Sequence, residues 1–163
     1  MTIAELMIPE LKAEAAMTRR LLSRIPADKL EFSPGGGLHT VGWNASHLTE
    51  IVGWVEGIVH VDFLDLAAVD AEQQAASRKA TEIAALLKQF DANLAQSVKA
   101  LEGVTDAKMA EPWTMNMGGQ ELWTMPKGDT LRKWVFTHTA HHRGILFAGL
   151  KLAGVELGSI YEE

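Results

Sequence analysis

The chain has 163 residues, 47% of them apolar, and a formal charge of −6 from 21 acidic and 15 basic side chains. That composition suits one domain with a core, spanning 1–163, and excludes a disordered chain; without a basic block it also excludes a phosphate-neutralising nucleic-acid binder. The absence of cysteine excludes disulfides, thiolate metal ligands and a cysteine nucleophile.

A helical period begins at Ile3 and runs to about Ile25, with Leu11, Thr18, Leu22 and Ile25 on one face and Lys12, Arg19 and Arg20 left for solvent. Pro9 falls early in this helix, and Pro26 stops it. Pro26, Pro34 and Gly35-Gly36-Gly37 mark 26–39 as a loop. A second helix is expected from Thr40, a suitable N-cap, to about Phe63, with His47, Ile51, Trp54, Val55 and Ile58 as its inner stripe. Residues 65–77 lack periodicity and read as a connection.

The third helix spans roughly Arg78 to Glu102, with Ile83, Leu86, Leu87, Phe90, Leu94, Val98 and Leu101 three or four apart and Gly103 as its terminator. Gly118-Gly119 then predicts a two-residue hairpin turn between Trp113 and Met125. Pairing outward from it sets Met117 against Gln120, Met115 against Leu122 and Trp113 against Thr124. Trp113, Met115, Met117 and Leu122 then share one face, while Thr114, Asn116, Glu121 and Trp123 share the other.

The last helix starts at Asp129 as N-cap, with Leu131, Trp134, Val135, His138, His142, Ile145, Leu146, Gly149 and Leu152 facing inward. Gly154 closes it, and 155–163 reads as a surface segment. Trp43, Trp54 and Trp134 lie on helical stripes and read mainly as core. The fold class is all-α: a four-helix bundle with a small β-hairpin inserted before the last helix. No stretch of about 18 apolar residues suggests a membrane helix, and the N-terminus lacks the features of a signal peptide. A cytoplasmic protein with no membrane partner is expected.

Three of the six histidines lie in His138-Thr139-Ala140-His141-His142. His138 and His142 are four apart, which places both on one helix face, one turn from each other. One inward histidine is usually satisfied by a hydrogen bond, but two on an apolar stripe are harder to satisfy. His47, on the inner stripe of another helix, supplies a third imidazole. Three neutral imidazoles have too few acceptors among them, and one divalent cation accepts a lone pair from each.

Three protein ligands with one open position is the catalytic pattern, since closed structural sites normally use four. Thr139 follows His138, so the glutamate of a zincin is missing. The paired Glu-x-x-His motifs of a di-iron bundle are missing too. His141 points away from its neighbour and reads as a surface or interface residue, and His39 as a residue of the glycine loop. Glu50 reads as solvated, with a role behind His47 as the functional alternative. Arg143 reads as half of a structural ion pair. No general acid or base stands out.

Trp43-Asn44-Ala45-Ser46-His47-Leu48, His138-Thr139-Ala140-His141-His142-Arg143-Gly144 and Gly158-Ser159-Ile160-Tyr161 together resemble the DinB/YfiT-like superfamily, with matching element order over nearly the whole chain. The resemblance implies an up-down-down-up bundle, a homodimer, and a metal held by His47, His138 and His142. Zinc is the first expectation, with nickel, manganese or iron as alternatives. It also implies S-transfer with a low-molecular-weight thiol as co-substrate, the thiol making good the missing cysteine. A hydrolase using metal-bound water is the second expectation, and a non-enzymatic stress or interaction protein with a structural or vestigial ion the third.

Overall fold

The helical periods become four long helices in the computed structural model, which describes residues 1–78 and 82–161. Helix α1 (Ile3–Leu22) opens with a capping box in which Thr2 and Glu5 satisfy each other's backbone N–H groups. It ends at Leu22, short of the expected Ile25. Helix α2 (Val41–His60) starts where Thr40 accepts from the Trp43 N–H, as an N-cap should. Within the segment read as a connection, Asp70 caps a short helix, α3 (Ala71–Ser77), through the Glu72 and Gln73 N–H groups. Helix α4 (Ile83–Leu101) starts later than the expected Arg78, and residues 79–81 of that expectation lie outside the described residues. Gly103, at φ +72°, terminates α4 in the left-handed region.

Helix α2 does not reach Phe63. Val61 is already extended, and Phe63–Asp65 forms strand β1. Another short helix, α5 (Asp106–Ala110), precedes strands β2 (Pro112–Met117) and β3 (Gln120–Pro126). The sheet order is β1-β2-β3, with β1 parallel and β3 antiparallel to β2. The molecule is therefore mostly helical with a small three-stranded sheet, rather than all-α with a hairpin. Asp65 ties β1 to the hairpin turn by accepting from the Gly118 and Gly119 N–H groups at 2.8 and 2.7 Å.

The hairpin turn is as expected, with Gly118 and Gly119 at φ +60° and +79° and Met117 opposite Gln120. The remaining register differs. Asn116 pairs with Glu121 and Met115 with Trp123, so Leu122 is the extra residue of a bulge, and Trp113 faces Met125. The bulge reverses the faces beyond it. Leu122 is 53% exposed, while Trp123 turns inward against Trp113, ring centroids 5.5 Å apart.

The last helix begins at Lys127, before the expected Asp129 cap, as α6 (Lys127–Leu131). It continues through a π-helical stretch, Arg132–Thr137, into α7 (His138–Leu152), without leaving helical backbone at the junctions. Helix α2 packs on α4 and α7, and α1 packs on the same two, around a core that includes Leu21, Leu48, Ile51, Phe90, Leu146 and Leu150. Leu152, expected inside, is exposed. The C-terminal segment is not merely surface: Leu157 and Ile160 are buried, and Arg20 donates to the Ile160 carbonyl at 2.5 Å.

No sequence pattern singles out Lys127. It is fully buried, and its Nζ donates to the Ile58 and Val61 carbonyls at 3.0 and 2.6 Å and to Asp62 Oδ1 at 3.0 Å. An ammonium at the carboxyl end of α2 suits the helix dipole, and it pins the start of α6 to α2. Replacing Lys127 by Met is expected to cost about 1–3 kcal/mol, because the two carbonyls lose a charged donor. Chemical denaturation checks this; an unchanged midpoint would show that the clamp is dispensable.

Candidate metal centre

Helix α2 delivers His47 and α7 delivers His138 and His142. Their ligand-capable nitrogens lie within 4.8 Å of one another. His47 is 4% exposed and the other two are half-buried. The ring centroids are 5.1 Å apart for His47 and His138, 4.5 Å for His47 and His142, and 4.7 Å for His138 and His142. The π-helical stretch ends immediately before His138. The extra residue in such a turn rotates the next part of the helix relative to a plain α-helix, and such insertions recur at functional sites.

The proton positions are set by the neighbours. Glu50 Oε2 lies 3.3 Å from His47 Nδ1. A carboxylate only accepts, so Nδ1 carries the hydrogen and His47 Nε2 keeps its lone pair. Asn44 Oδ1 lies 3.0 Å from His142 Nδ1. The Asn44 amide orientation is set on its other side, where Nδ2 donates to the His39 and Thr40 carbonyls at 3.3 and 3.0 Å. His142 Nδ1 is therefore the donor, and its Nε2 also keeps a lone pair. Such outer hydrogen bonds fix the tautomer and orientation of metal-binding histidines.

His138 Nε2 faces His47 Nε2 at 3.4 Å, and its buried Nδ1 has no well-formed hydrogen bond. Were His138 to offer Nε2 to a cation, its hydrogen would sit on Nδ1. The donor set, three nitrogens with two tautomers already fixed, fits one divalent ion.

The electrostatics keep His138 and His142 neutral. Burial, then the positive charge His47 would carry, then that of His141, push His138 down to about 4, with the Trp134 carbonyl opposing and Arg78 adding to the effect. Burial first, then His47 and His138, push His142 down to about 3. Both therefore offer lone pairs at neutral pH.

The same shifts set a pH dependence. Between the ordinary histidine value near 6.5 and these folded values, the unfolded chain binds more protons than the folded one. Stability is thus complete above the ordinary value and is lost as pH falls, at about 1.4 kcal/mol per pH unit for each proton of difference. The melting temperature of the metal-free protein is expected to drop steadily from pH 6.5 to pH 4. A flat profile there would contradict a neutral His138 and His142.

The other candidates divide. Glu50 is not solvated as expected: besides His47 it accepts from Arg78 Nε at 2.8 Å. Arg143 makes the expected structural pair with Glu14 at 2.6 Å. His141 is exposed and lies edge-on to His142, centroids 4.9 Å apart. His39 stacks on Trp43 at 3.7 Å.

The three tryptophans expected mainly in the core are half-buried and surround the triad. Trp43 lies 4.7 Å from His47 and 5.8 Å from His142. Trp54 lies 5.5 Å from both His47 and His138, and Trp134 lies 5.7 Å from His138. Helical spacing alone places Trp43, Trp54 and His47 on one stripe, which is the signal available in the sequence. Asn44, three residues before His47, carries the same signal.

A family model described as the DinB superfamily matches residues 10–146. Among solved structures, a DinB-like protein from Bacillus cereus ATCC 10987 superposes with a TM-score of 0.70 at 17% identity, covering 94% of each chain. At that identity the likeness concerns the fold alone. Comparison with curated proteins finds no match. With its mostly helical fold and a family match over most of its length, the chain belongs to the DinB superfamily.

Proposed function

We propose that this protein is a metal-dependent enzyme that activates a small thiol for S-transfer, with His47, His138 and His142 as the ligands of one divalent ion. The observation that carries the reading is the convergence of three imidazoles, two of them held with Nε2 unprotonated by Glu50 and Asn44. Zinc suits three neutral imidazoles, as do nickel, manganese and iron. With no fourth His or carboxylate in the cluster among the described residues, one position is left for a substrate. A bound ion would supply Lewis acidity, lowering the pKa of a thiol that this cysteine-free chain does not itself contain.

The chain's own residues then have distinct parts. Glu50 and Asn44 orient the ligands. Arg78 restrains Glu50, and the three tryptophans keep bulk water from the triad. The four long helices read as an up-down-down-up bundle, working as a homodimer in the cytoplasm on a small-molecule substrate.

The test is consumption of an alkylating electrophile by the metal-loaded protein, with and without a small thiol. Thiol-dependent turnover that disappears in His142→Ala is the expected result. Turnover of an ester without thiol would replace this reading by hydrolysis, and no turnover of either would overturn the enzyme reading.

A further inference from the structure

The geometry points to Trp54 as the residue that selects the substrate: it offers a ring face to a ligand whose aromatic group lies next to the atom entering the open position. This rests on the metal reading above and adds a substrate class to it.

The three indoles around the triad differ in what already covers them. Trp43 has the His39 ring stacked on it at 3.7 Å with an interplanar angle of 13°, and the Arg78 guanidinium lies 5.2 Å from its centroid. Trp134 is stacked by Trp123 at 5.5 Å and 3°. Trp54 meets His47 edge-on at 67° and His138 at 47°. Among the described residues no ring lies parallel to it.

Trp54 is half-buried, so part of it remains open to solvent. It stands seven residues after His47 in α2, two turns along the same face. It touches two of the three ligands, and the open position is bounded by those same imidazoles. The body of a bound molecule leaving that position on the Trp54 side runs along the indole. Offset stacking of an aromatic ring there favours it over a saturated ring of equal size by roughly 2- to 10-fold.

Cobalt(II) is a suitable probe because its visible spectrum reports both loading and thiol ligation. The Co(II)-loaded protein is titrated with benzyl mercaptan, cyclohexylmethanethiol and 2-mercaptoethanol. Benzyl mercaptan is expected to bind at least about threefold more tightly than its saturated analogue and more tightly still than 2-mercaptoethanol. Trp54→Leu should remove the difference between the two ring-bearing thiols, and Trp54→Phe should keep most of it. Trp113→Phe, altering an indole whose one ring neighbour among the described residues is Trp123, should leave the preference in place.

Metal-free melting temperatures confirm that each variant folds. Equal affinity for the two ring-bearing thiols, or a preference that survives Trp54→Leu in a folded protein, overturns this inference while leaving the metal site standing. Failure of the unmodified protein to take up Co(II) overturns both.

Discussion

Replacing His142 by alanine is expected to lower metal affinity by more than about 100-fold while the helical fold persists. Removing only an outer hydrogen-bond partner of a metal-binding histidine typically costs about 10- to 100-fold, and deleting a ligand removes more. Glu50→Gln and Asn44→Ala, which loosen His47 and His142 without removing them, belong in that smaller range. Competition with a chromophoric chelator measures the affinities, and far-ultraviolet circular dichroism monitors the fold. The metal-free His142→Ala protein should also hold its stability better than the parent as pH falls below 6.5, because a histidine pushed down to about 3 in the folded state is gone. Unchanged affinity in His142→Ala would remove that residue from the site.

The second large effect concerns Arg143, the neighbour of His142. Its side chain is 8% exposed. It pairs with Glu14 Oε2 at 2.6 Å and donates to the Glu14 carbonyl and to Thr18 Oγ1, both at 3.2 Å. These contacts join α7 to α1. Breaking a buried pair by deleting one partner typically costs about 3–5 kcal/mol, because the remaining charge is left uncompensated. Glu14 keeps some solvent exposure, so Arg143→Leu is expected near the lower end, about 3 kcal/mol. For a chain of this size that corresponds to a melting temperature lower by about 6–12 °C.

Arg143→Lys should recover only part of the loss, since an ammonium cannot hold the same set of acceptors in the same plane. Leu at both positions 14 and 143 should be more stable than Leu at 143 alone. A melting temperature within about 2 °C of the parent in Arg143→Leu would show that the pair does not hold the two helices together.

The legible part of the sequence is local. Thr40, Gly103, Gly154 and the Gly118-Gly119 turn act through the few residues on either side of them, and the structure uses each as its chemistry requires. The helical period brings His138 and His142 to one face, and the inner stripe of α2 adds His47. The features that escape the sequence depend on distant partners. Strand β1 exists because Phe63–Asp65 pairs with residues 114–116 of β2, about fifty residues away, and nothing within those three residues signals it. The bulge at Leu122 answers to packing rather than to turn chemistry: it lets Trp123 reach Trp113 and Trp134.

The π-helical stretch before His138 likewise has no marker of its own in Arg132–Thr137. Glu50 lies one turn from His47, yet its role becomes visible only with Arg78 in place on its other side. Leu157 and Ile160 read as surface in the sequence because their segment has no period; they are buried, and Arg20 and Arg24 hold the backbone of 158–160.

His47, His138 and His142 are expected to hold one divalent ion. Elemental analysis of protein purified without affinity metals, followed by titration of the chelator-treated protein with zinc and nickel, measures this. About one equivalent bound per chain is expected, as suits three converging imidazoles, with loss of that equivalent when any of the three is replaced by alanine. A metal content near zero with no uptake on titration, in a protein that is folded, would contradict it.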